Sequence, residues 1–134
     1  MDDTFGPNTE PQEVARQILE NPKILNKLEY TLAVSREILR LEPPAQMLRT
    51  TTDPYEVTTR SGATFVIPAD TQIFMNTYQM ARNKAAWGPD AAEFKPERFM
   101  NGIIPNAYMS FSKRPRDCIG TNLAYLEVWS CYVC

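Results

Sequence analysis

Histidine is absent from the 134 residues, so no imidazole is available to ligate iron or to build a histidine zinc site. No run approaches the ~20 apolar residues needed to span a bilayer, and the opening Met1-Asp-Asp-Thr-Phe-Gly-Pro7 is acidic and polar rather than signal-like. Charge of one sign is also lacking: Lys plus Arg number 14 against 16 for Asp plus Glu. That balance gives no strong field to attract nucleic acid or anionic lipid. Cysteine is sparse, at positions 118, 131 and 134, which without a signal peptide points to a reducing compartment. There are no internal repeats and no low-complexity tract.

What is present concentrates in one decapeptide, Phe111-Ser-Lys-Arg114-Pro115-Arg116-Asp-Cys118-Ile119-Gly120. Average composition would match Phe111, Arg116, Cys118 and Gly120 to a fixed template in roughly one chain of this size in several thousand. The segment resembles the loop that presents a cysteine thiolate to a heme iron. The residue types suit that chemistry. A helix predicted over 119–130 places Cys118 at a helix N-terminus, where unpaired N–H groups favour a thiolate. Arg116 suits a bidentate contact with a carboxylate such as a heme propionate. Gly120 lets the backbone approach a flat ring, and Phe111 would shield the sulfur from water. A buried, inert cysteine at a strand-to-helix junction is the alternative reading of the loop. Cys131-Tyr-Val-Cys134 reads as a pair of incidental thiols, or as a redox or metal pair without its usual βαβ context.

Upstream stand Phe94-Lys-Pro96-Glu97-Arg98-Phe99, and before that Glu37-Ile-Leu-Arg40 followed by Pro43-Pro44. Glu-x-x-Arg alone is expected about once in every two chains of this length, and its bland reading is a surface ion pair worth a few tenths of a kcal/mol. The order and spacing of all three segments are informative. Together they resemble the C-terminal portion of the cytochrome P-450 superfamily, over roughly residues 10–128. The resemblance implies that Glu37 and Arg40 lock with Arg98, that Cys118 is the axial ligand of heme b, and that Arg49 is a second propionate-binding residue. It also implies a heme-thiolate monooxygenase that inserts one oxygen atom from O2 into a small organic substrate, with electrons from an NADPH-dependent reductase. The wording of Leu28 to Arg49 resembles filamentous-fungal members that act in secondary metabolism.

The helical pattern supports a structural role for the pair. Leu25, Leu28, Leu32 and Leu39 share one stripe, and Glu37 and Arg40 lie about 60° apart on its flank. They are predicted to be partly buried together.

The expected fold is α+β, mainly α. Residues 1–9 are expected to be unstructured, followed by a helix from Pro11 to Glu20 capped by Thr9 or Glu10. A second helix begins at Asn21-Pro22 and runs, with a break, to about Leu41, where Pro43-Pro44 ends it. Strands are predicted at Tyr55–Thr59, Ala63–Ile67 and Thr71–Asn76, around turns at Arg60-Ser-Gly62 and Pro68-Ala-Asp70. A short helix near Asn83–Trp87, a meander to Ser110, the Cys loop and a last helix complete the order.

Three departures from the family pattern accompany the resemblance. The oxygen-activating distal helix is expected upstream of everything present, so no catalytic residue is assigned. Residues 129–134 read as an aberrant or truncated tail. Arg114 stands where the loop usually has glycine, and a positive φ there would cost roughly 1–2 kcal/mol. The family usually carries an N-terminal anchor in the endoplasmic reticulum membrane; without one this chain, if soluble, would be cytosolic. A catalytically inactive heme-binding or interaction fragment is therefore the second functional reading.

Overall fold

The computed structural model describes residues 3–6, 9–101, 106–113 and 115–133. Arg114 and Cys134 lie outside the described residues, as do positions 1, 2, 7 and 8 of the N-terminal stretch. Helix α1 spans Pro11–Glu20 with proline at its first position, where the missing N–H costs nothing. Glu10 is its N-cap residue but makes no side-chain cap. Thr9 does not cap either, because its hydroxyl donates backwards to Phe5 O and to Gly6 O. Residues Asp3–Phe5 form a 3-10 turn, and Phe5 packs beside Leu25, Leu28 and Trp129.

The break expected before Leu41 is a change of helix type. Pro22–Lys27 is 3-10, and α2 then runs over Glu29–Leu41. Leu28 is the hinge, donating its N–H to Leu25 O and accepting from Leu32 N. This α2 is the central element. At its N-terminal end Leu25 and Leu28 of the preceding turn, with Leu32 of α2 partly buried, meet Trp129; elsewhere along α2 Ala33 joins Trp87, Ala91 and Phe99.

The β region holds four strands in two antiparallel ribbons. β1 (Met47–Thr50) pairs with β4 (Gln72–Met75) in the register Met47↔Met75. β2 (Tyr55–Thr58) pairs with β3 (Thr64–Ile67), Tyr55 opposite Ile67. The turns fall at the predicted places, Gly62 at φ +86° closing the β2–β3 hairpin and Asp70 at φ +57° lying between β3 and β4. Strand β1 was not among the predicted strands because Met47-Leu-Arg-Thr50 has too little β-branched content to stand out; pairing with β4 organises it.

Asn76 caps α3 (Thr77–Ala81) by accepting from Gln79 N at 3.0 Å, and Asn83 caps α4 (Lys84–Trp87) by accepting from Ala85 N at 2.9 Å. Gly88 closes α4 at φ +90°, a conformation in which an alanine Cβ would also come within 3.3 Å of Asp90 Oδ1. Gly88→Ala is expected to lower stability by about 1–3 kcal/mol, measured by urea unfolding. The 3-10 turn Pro96–Phe99 carries Arg98. The last helix, α5, covers Thr121–Val133 rather than 119–130. It continues through the expected tail, with Trp129 9% exposed and stacked on Tyr125 at 6.1 Å.

Candidate functional site

Two adjoining arrangements occupy the region between α2, the meander and the Cys loop. The first is an ion cluster. Glu37 is fully buried, Arg40 2% exposed, and the Arg98 side chain 9% exposed. Arg40 Nε donates to Glu37 Oε2 at 2.6 Å and Arg40 Nη2 to Oε1 at 2.8 Å, a bidentate fork. Arg98 Nε donates to Glu37 Oε1 at 3.0 Å, and Lys95 N does so at 2.8 Å. The guanidinium groups also reach backbone carbonyls, and Arg98 Nη1 lies 3.6 Å from Asp90 Oδ1. Arg40 reaches Ala81 O, Ala91 O at 2.7 Å and Glu93 O at 3.1 Å, while Arg98 reaches Asp90 O at 3.1 Å. Arg40 also lies over the Trp87 ring at 4.8 Å.

The cluster therefore clamps the meander to α2. Burial pushes the Glu37 carboxyl upward, but the hydrogen bonds from Arg40, Lys95 N and Arg98 together outweigh it and hold the group below its ordinary value. A carboxylate with a lowered folded pKa contributes stability that is complete above its unfolded value, about 4.3, and that is lost as pH falls through the folded value. Denaturant unfolding between pH 7 and pH 3 should show this decline, and Glu37→Gln should flatten that part of the profile.

The second arrangement is the Cys loop. Cys118 N donates to Phe111 O at 2.9 Å, folding the loop back on itself. Cys118 O accepts from Thr121 N at 3.3 Å and from the Thr121 hydroxyl at 2.8 Å, which joins the loop to the start of α5. The thiol is exposed. It opens on a cleft of about 410 Å³ that also contains Arg49 and Arg116, with Pro44, Met47 and Leu48 on its apolar side. Arg49 Nη2 donates to the Ser112 hydroxyl at 3.1 Å, tying β1 to the loop. Arg116 is exposed.

The Phe111 ring meets Tyr125 edge-on at 5.3 Å. It borders the cleft but leaves the sulfur open to solvent, so the shield expected of it is incomplete. A Cβ on Gly120 would lie 3.7 Å from Cys118 Sγ, an ordinary contact. A soft thiol, two guanidinium groups and an apolar wall in one cleft fit a heme: sulfur for iron, the arginines for its two propionates, and the wall for the macrocycle.

Of the residues singled out in the sequence, Glu37, Arg40 and Arg98 meet in the clamp, and Arg49, Phe111, Arg116, Cys118 and Gly120 lie around the loop. Sequence reasoning missed Ser110, whose hydroxyl donates to Leu39 O at 2.9 Å and fastens the loop to α2. It also missed Lys95, which acts through its backbone N–H and so leaves no residue-type signal. Cys131 is a free, exposed thiol, and among the described residues no group of three or more Cys, Asp or Glu is placed to hold a metal ion. No helix among the described residues is long and apolar enough to cross a membrane.

The profile of the cytochrome P450 family matches residues 12–132. Secologanin synthase 1 of Catharanthus roseus is 40% identical over 109 residues, covering 77% of this chain and 20% of that protein. A cytochrome P450 monooxygenase of Aspergillus fumigatus is 35% identical over 119 residues, 79% of this chain and 21% of the relative. A self-sufficient cytochrome P450 monooxygenase of Phanerodontia chrysosporium is 36% identical over 107 residues, 77% of this chain and 10% of the relative. The chain thus spans about a fifth or less of these relatives. Plants and fungi are both represented, in place of the filamentous-fungal likeness suggested by the Leu28–Arg49 segment. With the clamp, the thiol cleft and a profile match over nearly the whole length, this chain belongs to the cytochrome P450 family, whose cofactor is heme.

Proposed function

We propose that residues 10–128 form the heme-holding portion of a heme-thiolate monooxygenase, and that Cys118 is the iron ligand. The observation that carries this reading is the convergence of Cys118, Arg116 and Arg49 on one cleft. In the proposal Arg116 and Arg49 each hold a propionate. Ser112 orients Arg49, and the clamp of Glu37, Arg40 and Arg98 fixes the meander from which the loop departs. A thiolate-bound heme supplies oxygen activation, its iron receiving electron density from sulfur that favours O–O cleavage. The task of this chain's residues is to hold that ligand in place.

The reaction proposed for the whole protein inserts one oxygen atom from O2 into a small organic substrate, with electrons from an NADPH-dependent reductase. The names of two relatives, secologanin synthase 1 of Catharanthus roseus and echinocystic acid 23-monooxygenase of Saponaria officinalis, support a substrate in secondary metabolism. A second reading, a heme-binding segment without turnover of its own, is favoured by the exposure of Leu48, Phe65, Val66 and Leu123, each more than half exposed. Hemin titration of the full chain, followed at the Soret band, tests the assignment. Saturation at one heme per chain is expected, weakened about tenfold or more when Arg49 and Arg116 are both changed to Gln. Equal affinity in the double variant would remove the propionate roles.

A further inference from the structure

A second, larger cleft, about 720 Å³, shares Phe111 and Ser112 of the Cys loop with the first, and the heme reading makes no use of it. Its walls come from α2, the loop and α5, and they carry two cations, Arg36 and Lys113, against one carboxylate, Asp117. Arg36 makes no hydrogen bond or ion pair among the described residues, and its Nε–H is buried without an acceptor. A buried charged donor left unpaired is costly, and such groups are usually completed by a ligand or an ordered water.

Around it the free donors can be counted. Lys113 spends one N–H on Asn106 Oδ1 at 3.2 Å, leaving two. The Ser112 hydroxyl accepts from Arg49, so its own hydrogen is uncommitted. Tyr108 and Tyr125 share one hydrogen bond at 3.3 Å, and the Tyr108 hydroxyl also meets the Ser110 side chain. Burial first, and then Tyr125, push the Tyr108 hydroxyl well above its usual range, so it keeps its proton at any working pH. The cleft therefore presents a guanidinium, an ammonium and neutral hydroxyls, with aromatic rings of Phe111 and Tyr125 at 5.3 Å beside them.

We propose that this cleft is a phosphate-binding site, built on Arg36 and Lys113, that takes free phosphate or a phosphate monoester against the Cys loop. Phosphate is favoured over a carboxylate by the number and spread of the donors. A carboxylate has two oxygens in one plane, whereas here donors come from three elements and suit a tetrahedral anion. Because Ser112 and Phe111 border both clefts, an anion bound here presses on the loop that positions Cys118.

Calorimetric titration of the full chain with inorganic phosphate, at an ionic strength held near ~0.15 M with chloride, tests this directly. Saturable one-to-one binding is expected, weakened about tenfold or more by Arg36→Gln or by Lys113→Gln, and unchanged by Arg60→Gln on the exposed turn between β2 and β3. Asp117→Asn should tighten it, a gain that misfolding does not mimic. Adenosine monophosphate in a parallel titration separates the sources. Tighter binding than phosphate identifies an ester whose organic part uses the aromatic wall, and equal binding identifies the free anion. Acetate binding as well as phosphate would overturn the proposal, as would binding that survives Arg36→Gln but falls with Arg116→Gln.

Discussion

Glu37→Ala is expected to unfold the chain at ambient temperature or leave it too unstable to take up heme. The carboxylate is fully buried and accepts from Arg40, Arg98 and Lys95 N. Its removal leaves two guanidinium groups facing each other in a low-dielectric interior. Breaking a buried pair in this way costs about 3–5 kcal/mol, a large share of the roughly 5–15 kcal/mol that stabilises a typical domain. The loss also spreads, because Arg40 and Arg98 hold carbonyls of Ala81, Ala91, Glu93 and Asp90. Those carbonyls fix the path that leads to the Cys loop. Denaturant unfolding should show the drop, and reconstitution should show heme uptake falling with it. A Glu37→Ala protein with unchanged midpoint and unchanged heme absorbance would mean that the clamp carries neither stability nor the loop.

Cys118→Ser should abolish thiolate ligation while sparing the fold. The two mutations therefore separate the two arrangements. The thiol is exposed and makes no packing contact on which the core depends, and the loop's hydrogen bonds run through the Cys118 backbone. Thermal unfolding should accordingly stay within about 0.5 kcal/mol of the parent. A serine hydroxyl remains protonated near neutral pH and lacks sulfur's softness for iron, so the thiolate-type absorption should vanish. If thiolate-type absorption persisted in Cys118→Ser, the ligand would have to be Cys131 or Cys134.

How much of this was legible beforehand differs between the clamp and the loop. Glu37, Arg40 and Arg98 were readable because ion-pair partners leave charged residue types at fixed spacings. Their backbone partners were not, since a carbonyl at Ala91 or an N–H at Lys95 looks the same in any residue. Helix starts followed proline, as at Pro11 and Pro22, but the cap at Thr9 failed because its hydroxyl turned to Phe5 and Gly6. The final helix was placed two residues early at its start, because Cys118 O and the Thr121 hydroxyl form a turn before the helical ladder begins. It also runs past its expected end because Trp129 finds Leu25 and Leu28, a tertiary contact that local reading does not contain. In the loop, residue types announced the cleft, whereas the Ser110 and Ser112 tethers were unmarked in sequence.

The central claim is that Cys118 presents a thiolate to heme iron. It is tested most directly by adding ferrous heme and carbon monoxide to the full 134-residue chain and recording the Soret band. The account predicts the strongly red-shifted band given by a thiolate opposite carbon monoxide, present in the parent and lost in Cys118→Ser. A soluble, folded protein whose band stays at the position of unligated or neutral-thiol heme would contradict it.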